Sequence, residues 1–449
     1  MMRQAIILAG GKGTRLAARL NGLPKPLVPI AEIPLLQRQL LSLKEYGISD
    51  VLILVNHKAD VIEQFCYVHN NFGMNIRLQN DGDPRGTAGA VLAALPLLPQ
   101  KSDNALVLYG DTLFNVDFHK MLRFHNGHSG AATLFLHPND HPYDSDLIEL
   151  DEQYQIRKIH PYPHAPNSEY PNLVNAALYI VRQSALQRWT HLAHEQTGII
   201  DFAKHLFPAM LDAGEKLFGY NSPEYIKDVG TPDRIDKAKA DVVSGRYEKG
   251  SLESAWKAVF LDRDGVINKD VGFLRSRKEF SLLPGVAGAI RKLNRSGFLT
   301  IVVTNQPVIA RGECTVQELA AIHAKMDTLL GNEGAYIDRL YYCPHHPDSG
   351  FPGEVPELKC ICMCRKPQPG MFLQAQEDLH IDLSQSWMIG DRTTDIMAAK
   401  NAGVRSVLVR TGEAGRDGKC TVEPDYCLAD LSEAVSLILN NQQQEKHYE

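Results

Sequence analysis

The chain has 449 residues, of which 44% are hydrophobic and 22% are charged, so it is too long for one ordinary core and too apolar for a disordered protein. Its net charge of −6 shows no basic excess and argues against nucleic acid as a partner, because affinity for phosphate backbones scales with clustered positive charge. We expect a cytoplasmic protein without membrane contact, since no apolar stretch approaches the roughly 20 residues that span a bilayer and the N-terminal apolar run is too short for a signal peptide.

Short β-branched runs alternate with helical patterns along the whole chain, and each run ends in a polar or glycine-rich turn. This alternation predicts two α/β domains, each a doubly wound, Rossmann-like parallel sheet covered by helices on both faces. The predicted strands lie at 5–11, 51–56, 105–111, 258–264, 300–305 and 386–391. Ligands bind at the carboxyl ends of such strands, so we expect the residues that follow them to build the functional sites.

Residues 244–256 are polar, contain two glycines and separate two complete strand–helix series. We interpret this segment as a linker. The predicted domains are therefore residues 1–243 and residues 257–440. The polar tail that follows the second domain is expected to fray.

The first predicted strand leads into a glycine-rich turn, in which backbone N–H groups can approach an anion closely. The turn contains Gly10, Gly11, Gly13, Thr14 and Arg15. Its spacing matches neither the P-loop nor the dinucleotide fingerprint. Taken alone, the turn is as compatible with a structural role as with phosphate binding.

Further motifs follow this turn in the N-terminal half. They are Lys25 between two prolines, a Gly-Thr-Ala-Gly-Ala turn that starts at Gly86, a Gly-Asp pair that ends at Asp111, and Asp-Val-Gly-Thr-Pro from Asp228. In order and spacing, the set resembles the nucleoside-diphosphate-sugar pyrophosphorylase family across roughly residues 1–240. The resemblance implies that a sugar 1-phosphate oxygen attacks the α-phosphorus of a nucleoside triphosphate. Because this nucleophile is already ionised, catalysis would rest on alignment and charge neutralisation.

The resemblance also implies roles for single residues. Asp111 and Asp228 would hold Mg²⁺, which prefers carboxylate oxygens, and Arg15 and Lys25 would be the catalytic residues that clamp phosphates. The glycine-rich turn would cradle the triphosphate, and Gly86 would lie against the base or sugar, where a side chain would clash. The alternative is a purely structural role for Asp111, as the cap of a helix that follows the strand.

Two segments of the N-terminal half depart from the family pattern. Many relatives carry Glu-Lys-Pro where this chain reads Ile-His-Pro-Tyr-Pro at 159–163, and Asn-Ala-Gly where it reads Asn-Ala-Ala from Asn175. Asn175 is still predicted to contact the sugar, whose identity the two changes leave open. A non-catalytic nucleotide-sugar sensor is the competing interpretation, but such a domain has no reason to keep both metal carboxylates.

A second series of motifs follows the strands of the C-terminal half. Asp262 and Asp264 stand two residues apart just beyond a strand, an anionic pair that is costly without a nearby cation. The later motifs contain Thr304 and Asn305, Lys366, and Asp391. Together they resemble the haloacid dehalogenase superfamily over residues 257–410. The resemblance implies that Asp262 attacks phosphorus, and that Asp264 donates a proton to the leaving oxygen and later activates water.

The same resemblance assigns the remaining residues of this site. Thr304, Asn305 and Lys366 would bind the phosphoryl group. Mg²⁺ would be bound by the carboxylates of Asp262 and Asp391 and by the backbone carbonyl of Asp264. Asp395 would either support the metal ligands from outside or cap a helix.

Four of the eight cysteines crowd between positions 343 and 364. The pattern C-x-H…C-x-C offers four ligands suited to tetrahedral zinc: Cys343, His345, Cys362 and Cys364. With no ligand position left for water, the site would be structural and would hold the loop that precedes Lys366. Cys360 and His346 are the alternative ligands.

With the zinc pattern included, residues 257–435 resemble the D-glycero-D-manno-heptose 1,7-bisphosphate 7-phosphatases, and the histidinol-phosphate phosphatases are the nearest alternative. Arg311 and Arg365 are predicted to bind the substrate's second phosphate. The N-terminal half most resembles guanylyltransferases that act on D-glycero-α-D-manno-heptose 1-phosphate. The phosphatase would then make the sugar phosphate that the transferase consumes. The expected partners are small molecules (heptose bisphosphate, heptose 1-phosphate and GTP or another nucleoside triphosphate), and the product would be a nucleotide-activated heptose for surface polysaccharide.

Overall fold

The computed structural model describes residues 2–11, 13–20, 22–82, 84–99, 102–195 and 198–448. The chain forms two compact units. Unit 1 comprises Met1–His137, Ile148–Pro161 and Val174–Ser251, and unit 2 comprises Pro138–Leu147, Tyr162–Leu173 and Leu252–Glu449. The chain passes from one unit to the other between Ser251 and Leu252, inside the predicted linker. Two segments of the N-terminal half therefore belong to unit 2. The predicted division has one continuous stretch of chain per domain and places both segments in the first domain.

In the described part of the chain, unit 1 contains thirteen strands, of which nine form one mixed sheet and four form two separate pairs. Its strands are β1 Gln4–Leu8, β2 Pro29–Ile30, β3 Ile33–Pro34, β4 Asp50–Val55, β5 Asn75–Asn80, β6 Asn104–Tyr109, β7 Thr112–Asn115, β8 Ala132–His137, β9 Leu147–Leu150, β10 Ile156–His160, β11 Val174–Arg182, β12 Leu217–Asn221 and β13 Tyr225–Asp228. Its helices are α1 Ala17–Leu20, α2 Leu35–Glu45, α3 Ala59–Val68, α4 Gly86–Ala94, α5 Phe118–Asn126, α6 Gln183–Gln187, α7 Thr190–Glu195, α8 Phe207–Asp212 and α9 Pro232–Val243.

The sheet of unit 1 runs in the order β10-β9-β11-β6-β1-β4-β5, and β8 and β12 are joined to it through β11. Strands β6, β1, β4 and β5 are parallel, as predicted. The sheet as a whole is mixed, because β11 lies antiparallel to both β6 and β8. Alternation of side chains sends Ile6 of β1 into one hydrophobic core and Ala5 and Ile7 into another, so both faces of the sheet are covered.

Unit 2 is built on a six-stranded sheet in the order β16-β15-β14-β17-β18-β19, in which every pair is parallel. Its strands are β14 Lys257–Leu261, β15 Phe298–Asn305, β16 Arg339–Cys343, β17 Trp387–Gly390, β18 Arg405–Val409 and β19 Tyr426–Leu428. Its helices are α10 Val286–Ser296, α11 Val316–Gly331, α12 Gly370–Leu379, α13 Thr393–Ala402 and α14 Leu431–Tyr448. This is the doubly wound order, and the α/β prediction is confirmed. The strand order reverses between β14 and β17, which places the expected site between their carboxyl ends.

The two segments of unit 2 that come from the N-terminal half of the chain pack against helix α11. The backbone N–H of Tyr170 donates to Thr328 Oγ1 at 3.1 Å, and that of Asn172 donates to Asp327 Oδ2 at 3.1 Å. A Cβ on Gly331 of α11 would lie 2.5 Å from Pro142, so glycine is needed where the other segment crosses the helix. Among the described residues, no helix is both long and apolar enough to cross a membrane.

The contact between Asp327 and Asn172 should make the stability of unit 2 depend on pH. Burial raises the pKa of Asp327 to about 7, although the Asn172 N–H favours the ionised carboxylate. The folded state therefore binds this proton more tightly than the unfolded chain, in which an Asp titrates near pH 4. The stability that protonated Asp327 contributes is complete below pH 4 and is lost as the pH rises toward 7.

Asp327→Asn keeps an acceptor for the Asn172 N–H and removes the charge. At pH 8 we expect it to raise the free energy of unfolding by about 2 kcal/mol, roughly half of what the full pKa shift would give, because the side chain is only partly buried. At pH 4 the variant should match the wild type. Urea unfolding at both pH values measures this, with exposed Glu333→Gln as the control for loss of one charge. Equal stabilities of the variant and the wild type at pH 8 would show that ionised Asp327 does not destabilise unit 2.

Candidate functional sites

Three carboxylates meet at the carboxyl ends of β14 and β17 in unit 2. Asp262 follows β14, Asp391 follows β17, and Asp395 lies in the first turn of α13. Each offers an oxygen that lies within 4.8 Å of the oxygens of the other two, and all three residues are buried. Sequence reasoning placed Asp262 and Asp391 here and left Asp395 between two roles. In the structure Asp395 Oδ2 accepts from the Arg392 N–H at the start of α13, which is the capping contact, and its Oδ1 contacts Lys366.

Lys366 is the cation within this group. Its Nζ lies 2.9 Å from Asp262 Oδ1 and 2.7 Å from Asp395 Oδ1, and it also donates to the Val303 carbonyl at 2.8 Å. One ammonium cannot neutralise three carboxylates. Burial, together with the neighbouring carboxylates, raises the pKa of Asp262 to about 6, although Lys366 opposes this rise. Burial and the neighbouring carboxylates also raise the pKa of Asp391, to about 8.

The surroundings of Asp391 fit a hard metal ion. Its Oδ1 is buried and has no hydrogen-bond partner within the part of the chain that the structure describes. Its Oδ2 accepts from the Glu413 N–H at 2.7 Å. A Cβ on Gly265 or on Gly412 would lie 2.4 or 2.2 Å from Oδ2, so two glycines keep this space open. An unsatisfied carboxylate oxygen beside two further carboxylates is the donor set that Mg²⁺ prefers.

Asp264 lies next to this group, but its carboxylate is directed elsewhere. It is bonded to Arg263, Asn268 and Gln306, at distances of 2.7 to 2.9 Å for the shortest bond from each. Its expected part in metal binding is therefore left to the backbone carbonyl. Sequence reasoning missed these three partners. Only Arg263 carried a local signal, as the residue between the two aspartates.

The other residues predicted to bind phosphates are placed as follows. Thr304 is buried at the end of β15, where its Oγ1 accepts from Gln306 Nε2 at 2.9 Å. Asn305 exchanges two hydrogen bonds with the backbone of Lys366, at 3.0 and 3.1 Å. The Asn305 side chain thus fixes the loop that carries Lys366.

The two arginines predicted to bind a second phosphate both have protein partners. The Arg311 guanidinium lies between the rings of Phe273 and Phe351, at 4.0 and 4.2 Å, and is bonded to Glu313 at 2.7 Å. Arg365 Nη1 donates to the His345 carbonyl at 3.1 Å. An arginine has five N–H donors, so both side chains retain donors for a ligand.

The four residues predicted to bind zinc form a cluster. The Cys364 sulfur lies 3.3 Å from His345 Nδ1 and 3.3 Å from the sulfurs of Cys343 and Cys362, and all four ligand atoms lie within 4.8 Å of one another. The alternative ligands lie outside this cluster, since Cys360 is exposed and His346 Nδ1 accepts from the Asp348 N–H. The geometry suits a tetrahedral ion.

In unit 1 the two carboxylates predicted to hold a metal are brought together by strands β7 and β13. Asp228 is paired with Thr112, and the Val229 N–H donates to the Asp111 carbonyl at 2.9 Å. Each carboxylate contacts a cation: Asp111 is bonded to Lys25, and Asp228 is bonded to Arg234. Sequence reasoning missed Arg234.

The glycine-rich turn lies beside Lys25. Gly13 has a positive φ of 63°, and a Cβ there would lie 3.4 Å from the Cβ of Lys25. Gly11 is exposed with open space around it, and exposed Thr14 begins a single turn of 3-10 helix that ends at buried Leu16. The side chain of Arg15 lies outside the described part of the structure.

Two predicted sugar contacts have local structural roles. A Cβ on Gly86 would lie 2.5 Å from the Ile200 carbonyl, so the backbone of Ile200 occupies the space predicted for base or sugar. Asn175 Oδ1 accepts from the Ala177 N–H at 3.2 Å, within an irregularity of the β11–β8 pairing.

Comparison with known proteins matches both halves of the chain. The nucleotidyl transferase family model matches residues 4–245, more than half of the chain, and the HAD-hydrolase-like model matches residues 363–434. A relative from Yersinia pestis, named D-glycero-beta-D-manno-heptose-1,7-bisphosphate 7-phosphatase, is 45% identical over 181 residues, which are 40% of this chain and 94% of the relative.

Two solved structures are also similar. D,D-heptose 1,7-bisphosphate phosphatase from B. bronchiseptica, complexed with magnesium and phosphate, is 35% identical, with a TM-score of 0.36, over 41% of this chain and 99% of that one. HddC from Yersinia pseudotuberculosis, complexed with GMP-PN, is 21% identical, with a TM-score of 0.44, over 54% of this chain and 100% of that one.

The family model and the curated relative confirm the two resemblances seen in the motifs. The chain is a fusion of two enzymes, and it belongs to the nucleotidyl transferase family through its N-terminal half and to the D-glycero-beta-D-manno-heptose-1,7-bisphosphate 7-phosphatase family through its C-terminal part.

Proposed function

We propose that the phosphatase half removes the 7-phosphate of D-glycero-D-manno-heptose 1,7-bisphosphate, and that the transferase half moves GMP from GTP onto the resulting heptose 1-phosphate. The observation that carries the proposal is the presence of both families on one chain. A 7-phosphatase leaves the anomeric phosphate in place, and that phosphate is the nucleophile that a sugar-1-phosphate nucleotidyltransferase needs. The product would be a nucleotide-activated heptose.

The phosphatase reaction would proceed in two steps. An oxygen of Asp262 attacks phosphorus, the bond to the sugar oxygen breaks, and the sugar oxygen takes a proton from Asp264. Asp264 then takes a proton from water, whose oxygen attacks the aspartyl-phosphate and releases phosphate. Lys366, in contact with Asp262, neutralises the negative charge that otherwise repels a phosphate. When bound by Asp262, Asp391 and the Asp264 carbonyl, Mg²⁺ would supply further positive charge for the phosphoryl oxygens.

The zinc cluster would act as a structural site. Its last ligand, Cys364, is two residues before Lys366, and the His345 carbonyl also holds Arg365. A metal here would therefore fix the loop that brings both basic residues to the phosphatase centre.

Removal of the zinc should affect the two activities unequally. We expect about one zinc per chain after mild EDTA treatment, measured by metal analysis of reduced protein. Cys362→Ser should lose this zinc and reduce phosphate release at least tenfold, while nucleotidyl transfer to a supplied sugar 1-phosphate stays near normal. Exposed Cys427→Ser serves as the control. Reduced wild-type protein without zinc would contradict the ligand assignment.

The transferase reaction would rely on the residues around Asp111. Lys25 is in direct contact with Asp111, so positive charge for the phosphate oxygens stands beside a carboxylate suited to Mg²⁺. Asp228 would be the second metal ligand. The glycine-rich turn would present backbone N–H groups to the triphosphate. Selection of the base would then depend on residues beside this turn.

Asp81 is the residue best suited to select guanine. It follows β5 directly and lies beside the glycine-rich turn, since a Cβ placed on Gly10 would be 3.4 Å from Asp81 Oδ2. Its Oδ1 is buried without a hydrogen-bond partner among the residues that the structure describes, and burial raises the pKa of its carboxyl. Guanine presents two adjacent N–H donors, which one carboxylate can accept together. The other common bases present a single donor beside an acceptor that a carboxylate repels.

Asp81→Asn should change the base preference from guanine to xanthine. The amide N–H can donate to the xanthine carbonyl that replaces the guanine amino group, while the amide oxygen still accepts from the ring N–H. We expect kcat/KM for GTP to fall roughly tenfold to a hundredfold, and that for XTP to rise, because hydrogen bonds to a charged group contribute about 1.5–3 kcal/mol. Asp60→Asn, an exposed change on α3, is the control. Loss of activity with GTP and XTP alike, in folded protein, would refute this role.

The coupled reaction can be tested directly. Purified protein is incubated with heptose 1,7-bisphosphate, GTP and Mg²⁺, and products are followed by phosphorus NMR and mass spectrometry. We expect 7-phosphate release followed by GDP-heptose. Both anomers should be supplied, because the relative's name specifies the β anomer whereas the transferase resemblance concerns the α anomer.

Two variants separate the steps. Asp262→Asn should stop phosphate release and spare transfer to supplied heptose 1-phosphate, and Asp111→Ala should do the reverse. A product that keeps the 7-phosphate and has a free anomeric hydroxyl would refute the coupled pathway. Faster hydrolysis of histidinol phosphate than of the heptose would refute the substrate.

A further inference from the structure

The Asp264 carboxylate is surrounded by hydrogen-bond donors. Arg263 Nη2 lies 2.7 Å from Oδ2 and 3.0 Å from Oδ1. Asn268 Nδ2 donates to Oδ1 at 2.9 Å, and Gln306 Nε2 donates to Oδ2 at 2.9 Å. Both oxygens are held from two sides, so the direction of the carboxyl group is fixed by its neighbours.

Arg263 is itself held rigidly. Its side chain is fully buried, an expensive position for a charge unless every donor is used. Besides Asp264, it contacts Gln306 Oε1 at 3.0 Å and His323 Nε2 at 3.2 Å. A guanidinium can only donate, so His323 must accept through Nε2 and carry its proton on Nδ1. Burial, reinforced by Arg263, keeps His323 neutral by lowering its pKa to about 3.

Gln306 connects this network to the site of phosphoryl transfer. Its carbonyl accepts from Arg263, and its amide donates both to Asp264 and to Thr304 Oγ1, the latter at 2.9 Å. The side chain therefore sets the position of Asp264 relative to the threonine that would bind the transferring phosphoryl group. No simple packing requirement calls for a buried amide here, since an aliphatic side chain would fill the same volume.

We infer that Gln306 and Arg263, with His323 behind them, are positioning residues that direct Asp264 toward the leaving-group oxygen. The inference rests on the proposed phosphatase function. The donors around Asp264 favour its ionised form, so the carboxyl group takes up one proton from solvent before the first step. The P–O bond to the sugar then breaks while this proton moves to the departing oxygen. The surrounding donors then stabilise the carboxylate that remains. Misdirection of Asp264 should slow this proton transfer and leave the attack by Asp262 unchanged.

A leaving-group series distinguishes such a defect from general damage. An aryl phosphate with a strongly acidic phenol needs no proton in the transition state, whereas a sugar or alkyl phosphate does. The full-length enzyme is assayed with Mg²⁺ on a series of phosphate esters of rising leaving-group pKa. The quantity measured is kcat/KM, which reports only the steps up to formation of the aspartyl-phosphate.

Gln306→Leu should lower kcat/KM for the alkyl ester roughly tenfold to a hundredfold, within the range of general acid catalysis, and that for nitrophenyl phosphate less than about threefold. The plot against leaving-group pKa should thus become steeper than for the wild type. Val308→Ala, which removes buried volume from the same loop, is the control and should change all esters equally. His323→Phe, which keeps a ring but loses the acceptor, should give a smaller change in the same direction and serves if Gln306→Leu does not fold.

An equal fall across the series in folded Gln306→Leu and His323→Phe would overturn the positioning role, as would a fall confined to KM. A steep plot for the wild type would overturn it as well, because Asp264 would then supply no proton. Failure of the wild type to hydrolyse any ester would instead refute the phosphatase function on which the inference rests.

Discussion

The contact of Lys366 with Asp262 and Asp395 is the interaction on which unit 2 depends. The strand order places three buried carboxylates at the ends of β14 and β17, and mutual repulsion would make this arrangement costly without a cation. Lys366 supplies one positive charge from a separate loop. Asn305 holds the backbone of that loop, and the last residue of the zinc cluster, Cys364, lies two residues before Lys366. Much of the surrounding structure thus serves to keep one ammonium group in place.

Unit 1 solves the same electrostatic problem in a different way. Its two carboxylates are not pooled around one lysine, since Asp111 is bonded to Lys25 and Asp228 to Arg234. Both carboxylates are partly exposed to solvent, so each of these ion pairs costs less desolvation free energy than a buried ion pair does. The difference agrees with the chemistry. A phosphatase must lower the charge on its own nucleophilic carboxylate, whereas a nucleotidyltransferase receives an ionised nucleophile with its substrate.

The strand ends were predictable and the networks between them were not. All six predicted strands are present, and their polar ends hold the expected aspartates, because alternating apolar runs and strand-end residues are local features of sequence. The distant members of the Asp264 network are Gln306, 42 positions from Asp264, and His323, which is bonded to Arg263 and lies 60 positions from that arginine. No local pattern encodes such pairs. Gly86 shows the opposite case: the need for glycine was visible, but the Ile200 backbone that imposes it was not.

Unit 2 is assembled from both halves of the chain. The segments Pro138–Leu147 and Tyr162–Leu173 leave strands of unit 1 and return to them, yet their contacts are made with α11 and its surroundings. They are joined to each other as well, since Asn172 Nδ2 donates to the Asn139 carbonyl at 2.8 Å. A chain that began at Leu252 would lack both segments and would expose Asp327 and Thr328 without these partners. Division at the linker therefore separates the motifs of the two enzymes but not the two folded units, because the phosphatase unit draws part of its packing from residues that precede its first strand.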